Sequence, residues 1–140
     1  MSKYKYVRVA NQEYVEFIPK AGVCLATTNV MERRGVVRWM LRNPSHDEVD
    51  NGWRIFSDID TKEYVGDPHN WRIVDFNDVC YIEPALIGIY DFPYGSDLGL
   101  VRDERGKIDI YDAITGRVIP HENFYVPPQF RKGAERIDGE

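Results

Sequence analysis

Hydrophobic and polar positions alternate along much of this chain, with a period of two. Residues 36–42 show it best: Val37, Trp39 and Leu41 point one way and Arg38 and Arg42 the other, as in a strand with one buried face. Asn43-Pro44 ends the run, because proline cannot donate to a ladder and restrains the residue before it. Residues 53–57 resume an apolar strand, and the Asn51-Gly52 ahead of them readily takes positive φ. The two runs are expected to pair antiparallel, with residues 47–50 exposed between them. Residues 98–102 and 107–111 flank Asp103-Glu104-Arg105-Gly106 and predict another hairpin, with Ile108 and Ile110 on one side of it. Residues 4–9 and 14–18, rich in aromatic and β-branched side chains, predict an N-terminal hairpin. Residues 23–29 read as a short central strand and residues 71–75 as a further one.

The period changes in two places. Asp60 or Thr61 caps one helical turn within residues 58–66, which Gly66 and Pro68 end. Asp75 caps a helix over residues 76–83, with Asp78 near its positive end. Phe76, Val79 and Cys80 form its core-facing stripe, and Pro84 stops it. After Gly116 the pattern fades under Pro120, Pro127 and Pro128, although Phe124, Tyr125, Val126 and Phe130 are apolar enough to dock. Residues 131–140 lack an anchor. These elements predict a single α+β domain, a mostly antiparallel sheet of about five to seven strands with one or two short helices. The expected core includes Trp39, Leu41, Ile55, Val79 and Ile108.

A chain of 140 residues needs no disulfide or metal to stabilise its core. Cys24 and Cys80 form no framework and no C-x-x-C pair, the usage of a reducing compartment. No apolar run approaches the ~20 residues of a membrane span, and no apolar stretch follows the basic N-terminus as in a signal peptide. A cytoplasmic protein is expected. Its net charge of −5 is uneven: residues 1–42 carry eight Lys/Arg against three Asp/Glu, and residues 43–112 carry six against sixteen. An acidic middle repels phosphates and argues against a nucleic-acid ligand there, while it suits a basic protein partner.

Recognisable catalytic chemistry is absent from the pattern. His46, His69 and His121 stand far apart, outside any metal-ligand spacing. Ser45-His46-Asp47 holds triad residue types, but sequence neighbours do not converge as a triad must. Residues 95–99 match no phosphate loop, and no cofactor is expected. Glu48, Asp50, Asp58 and Asp60 have neither the spacing of a calcium loop nor a paired acid–base signature, and solvated or capping roles account for most such acids. Trp53, next to the acidic turn, has the residue type of both a core anchor and a binding hot spot.

The stretch Asp47-Glu48-Val49-Asp50-Asn51-Gly52-Trp53-Arg54-Ile55-Phe56-Ser57 resembles the D-[DE]-x-D-[SN]-G-W core of a family of small bacterial proteins. That family was catalogued as an uncharacterised domain and later grouped with immunity proteins of polymorphic toxin systems. Cys24-Leu25-Ala26-Thr27-Thr28-Asn29-Val30 resembles its opening strand, and segments from Asp60, Asn70 and Pro93 resemble later family segments. One departure is Asp58, where the family has glycine. The resemblance covers about residues 21–112 and implies a non-enzymatic protein that binds a toxin, with no catalytic residues to carry over. It divides the chain into an N-terminal hairpin extension (1–20), an immunity-protein-like core (21–115) and a C-terminal tail (116–140), partly docked and frayed at its end. Glu48, Asp50, Trp53, Asp58 and Asp60 are the expected partner-binding residues, facing a toxin with a basic surface. The competing reading is a small ligand-binding domain or enzyme that uses the carboxylates near Trp53.

Overall fold

The computed structural model describes residues 5–6 (as backbone), 14–45 and 47–131. Among the described residues, seven strands form one sheet: β1 (Lys5–Tyr6), β2 (Val23–Thr27), β3 (Val37–Arg42), β4 (Asp50–Ser57), β5 (Trp71–Asp75), β6 (Asp97–Arg102) and β7 (Ile108–Asp112). Their spatial order is β1-β5-β2-β4-β3-β6-β7. β1 with β5 and β2 with β4 run parallel, and the other four pairs are antiparallel. Three short helices, α1 (Thr28–Met31), α2 (Lys62–Val65) and α3 (Phe76–Ile82), complete the fold among the described residues. The protein is thus an α+β domain with a mostly antiparallel sheet and one more α-helix than the sequence predicts. Among the described residues, no helix is long and apolar enough to cross a membrane.

Local chemistry explains the elements. Thr27 ends β2 because its hydroxyl accepts from the Val30 N–H, so α1 begins where the sequence suggested two more strand residues. Thr61 caps α2 and Gly66 closes it. Asp75 caps α3 through the Asn77 N–H. Phe76, Val79 and Cys80 are fully buried, as their spacing predicts. A 3-10 segment, Pro84–Ile89, follows α3 and buries Leu86 and Ile89.

Residues 14–18 do not form the second strand of an N-terminal hairpin. The Phe17 and Ile18 N–H groups donate to Asn77 Oδ1 at 3.0 and 2.9 Å, and Asn77 Nδ2 donates back to the Ile18 carbonyl. A buried side-chain amide takes the hydrogen bonds that a ladder would have used. Of residues 4–9, Lys5–Tyr6 pairs parallel with β5; the rest lies outside the described residues.

The core lies on one side of the sheet. Cys24 and Ala26 of β2, Trp53 and Ile55 of β4, Val37 and Met40 of β3, Leu98 and Leu100 of β6, and Val74 and Ile110 pack beneath α3 and the 3-10 segment. Ile55 and Val79 are core as expected, whereas Leu41 and Ile108 are half-buried and Trp39 is 38% exposed. For Trp39 and Leu41 the cause is a bulge: β3 pairs Val37 with Ser57 but Trp39 with Phe56. The extra residue shifts the alternation, so Val37 and Met40 point inward and Trp39 outward. Phe124 and Tyr125 dock against Phe92 and Tyr90, while Val126 and Phe130 stay exposed.

Candidate functional site

The acidic connection between β3 and β4 is held in place by its own side chains. Asp47 Oδ1 accepts from the Val49 N–H at 3.0 Å, and the Val49 carbonyl accepts from the Val23 N–H at 2.7 Å. Asp50 binds Arg54 through both oxygens, at 3.0 and 2.8 Å, and also accepts from the Gly52 N–H and the Ser45 hydroxyl. Burial pushes the Asp50 carboxyl up, but the hydrogen bonds from Arg54 and Gly52 outweigh it and hold the carboxyl below its ordinary range. A carboxylate stabilised in this way orders the turn and is a poor general acid. Gly52, at φ +89°, lies inside β4 rather than in a turn, and a Cβ there would stand 2.1 Å from the Asn43 carbonyl oxygen.

The five residues singled out from the sequence do not converge. Trp53 is fully buried, and its indole N–H donates to the Tyr90 carbonyl at 3.1 Å. It is a core residue with no surface to offer a partner, which corrects its reading as a contact. Glu48 is exposed on the loop before β4, and Asp50 opens that strand. Asp58 and Asp60 follow its far end, about 25 Å away for eight residues of strand. Asp60 accepts from the Ser57 N–H at 2.7 Å and from Asn29 Nδ2 at 2.8 Å, so it ties β4 to α1. Asp58 is exposed and accepts from the Val36 N–H at 2.9 Å. Glu48 and Asp58 are therefore the exposed members, at opposite ends of the sheet, with Asp58 also bonded to backbone.

Among the described residues, no helix packs over the β3–β6–β7 half of the opposite face of the sheet. Cross-strand register places Leu25, Ile73 and Arg54 in one row, with Leu41 and Asp97 continuing it, and Phe56, Trp39, Gly99 and Tyr111 in the next. None of the apolar members belongs to the core cluster. Trp39 and Tyr111 meet edge to face at 6.3 Å, and the Arg38 guanidinium stacks 3.8 Å from the Trp39 ring centroid. A Cβ on Gly99 would come within 2.4 Å of the Tyr111 ring, so the glycine makes room for that ring across β6. Towards β5, Phe56 packs edge to face on Trp71 at 5.0 Å, and the Trp71 indole N–H donates to the Val65 carbonyl of α2. Sequence reasoning missed this surface, because the bulge that turns Trp39 outward leaves no mark in the hydrophobic pattern.

Two hollows bear on ligand chemistry. One of about 170 Å³ lies between Val23, Leu25, Asp47, Asp50, Arg54 and Ile73, where Asp50 and Arg54 pair with each other and Asp47 accepts from the Val49 N–H. Another of about 270 Å³ is lined by Pro84, Ala85, Gly88, Ile108, Ile110 and Phe124, with His121 at its wall. Among the described residues no three His, Cys, Asp or Glu side chains assemble as metal ligands. Burial raises the thiol pKa of Cys24 and of Cys80, the opposite of what a nucleophile needs.

Residues 24–110 match the profile of the family described as Immunity protein Imm33 domain. No curated protein and no solved structure matches the chain. The matched segment takes in β2 to β6 almost entirely and β7 as far as Ile110, together with the acidic loop and, of the aromatic row, Phe56, Trp39 and Gly99; Tyr111 lies just past it. With well over half of its length under that profile, the chain belongs to the Imm33 immunity protein family.

Proposed function

We propose that this protein is a non-enzymatic binding protein of the bacterial cytoplasm that neutralises a cognate toxin by direct contact. The observation that carries the reading is the family match across residues 24–110. Charge supports a basic partner: residues 43–112 hold sixteen acidic against six basic side chains, and a field of that sign speeds encounter with a positive surface. Within the acidic set, the exposed Glu48 and Asp58 meet the toxin, while Asp50, Asp60 and the buried Trp53 hold the backbone that presents them.

Co-expression with the toxin encoded beside this protein tests the proposal. Wild type restores growth, and the purified pair associates. Glu48→Lys combined with Asp58→Lys slows association, and raising salt weakens the wild-type complex through screening. Growth that stays arrested in the presence of folded wild-type protein would defeat the reading for that toxin.

A further inference from the structure

We infer that the open face of the sheet, centred on Trp39 and Tyr111, is the surface that docks the toxin, and that the toxin covers it with an apolar patch rimmed by lysine and arginine. This rests on the toxin-neutralising reading above and assigns the contact within it.

The face is built for contact. A bulge spends one residue of β3 to turn Trp39 towards solvent, at 38% exposure, while Met40 takes the core position. Gly99 leaves Tyr111 the room to lie across β6, and Arg38 packs on the rings of both Trp39 and Tyr111, at 3.8 and 5.6 Å from their centroids. Such aromatic groups, held before the partner arrives, lose little freedom on binding and are the residue types of hot spots. Val101, 41% exposed on β6, and half-buried Leu41 extend the apolar centre on either side.

Charge selects the partner. On this face Arg54 is neutralised by Asp50, and Arg38 is engaged with the rings. Asp97 and Asp109 stand in the same cross-strand rows as Leu41 and Val101, and neither forms an ion pair among the described residues. Asp47 and Glu48 at one end and Asp58 at the other extend the negative rim. An apolar centre with an acidic border complements an apolar patch with a basic border.

The test uses the toxin domain against which the wild-type protein protects cells. Its affinity is measured for Trp39→Ala, Tyr111→Ala and Val101→Arg, with melting temperature alongside. Each is expected to weaken binding by at least about tenfold, as hot-spot changes do, with a melting temperature close to wild type. Asp97→Lys with Asp109→Lys is expected to slow association, an effect that added salt reduces. If Trp39→Ala proves unstable, Val101→Arg, at an exposed position, decides. Wild-type affinity in folded Val101→Arg and Tyr111→Ala would overturn the inference. So would a wild-type dimer that Val101→Arg splits while toxin binding persists, since the face would then belong to a second copy. Absence of protection by the wild type would overturn the proposed function itself, and this assignment with it.

Discussion

Trp53 and Trp39 sit on neighbouring strands, β4 and β3, yet one is fully buried and the other is 38% exposed. Their sequence surroundings suggest the reverse. Trp53 follows an acidic turn and an Asn-Gly pair, the company of surface residues, while Trp39 alternates with arginines as a core residue would. The difference teaches that hydrophobicity chooses a strand but register chooses a face. On β4 the indole of Trp53 points under the 3-10 segment, where the Tyr90 carbonyl accepts its N–H. On β3 one extra residue at the bulge turns Trp39 to the open side.

The comparison breaks most sharply by truncating each ring. Trp53→Ala should lower stability by about 3–5 kcal/mol, through a large cavity and a lost hydrogen bond. Urea unfolding measures it, and a loss under ~1 kcal/mol would place Trp53 outside the packed core.

A second large effect is expected where the backbone of the two strands meets. Gly52→Ala combines positive φ with a Cβ 2.1 Å from the Asn43 carbonyl oxygen, so it should destabilise by more than ~1 kcal/mol. An unchanged unfolding midpoint would show that this corner relaxes freely.

The acidic loop gives a pH-dependent effect. The Asp50 carboxyl is lowered from 3.8 in the fold. Its contribution to stability is therefore complete above that value and disappears as pH falls through the lower folded value. Asp50→Asn should be less stable than wild type at neutral pH, and the two curves should converge in acid below about pH 4. Parallel curves would show that Asp50 carries no linked proton.

The smallest stability effect belongs to the open face. Trp39→Ala should cost no more than about 1 kcal/mol, because the ring already meets water and packs mainly on Arg38 and Tyr111. A loss as large as that of Trp53→Ala would erase the distinction between the two faces.

Much of the architecture was legible because its causes are local. Thr61, Gly66 and Asp75 announce the ends of α2 and α3 through capping chemistry that needs only near neighbours. Phe76, Val79 and Cys80 name the buried side of α3 by spacing alone, and Trp71–Asp75 is bounded by its own residues. Residues 14–18 misled because a distant partner, Asn77, captures their N–H groups. The candidate site was less legible still. Glu48 and Asp58 are near in sequence, but an intervening strand carries them to opposite ends of the sheet.

By itself, then, the sequence determined the α+β class, the antiparallel pairing of β3 with β4 and of β6 with β7, the caps of the later helices and an acidic middle. Those features follow from side-chain period, turn residues and charge, which are properties of short segments. Only the tertiary structure decided which tryptophan is core and which carboxylates hold backbone. It alone showed that Arg38, Trp39, Gly99 and Tyr111, from three strands, build one aromatic surface. The physical reason is that a single bulge inverts the facing of a strand without changing its composition, and cross-strand neighbours are set by register rather than by distance along the chain.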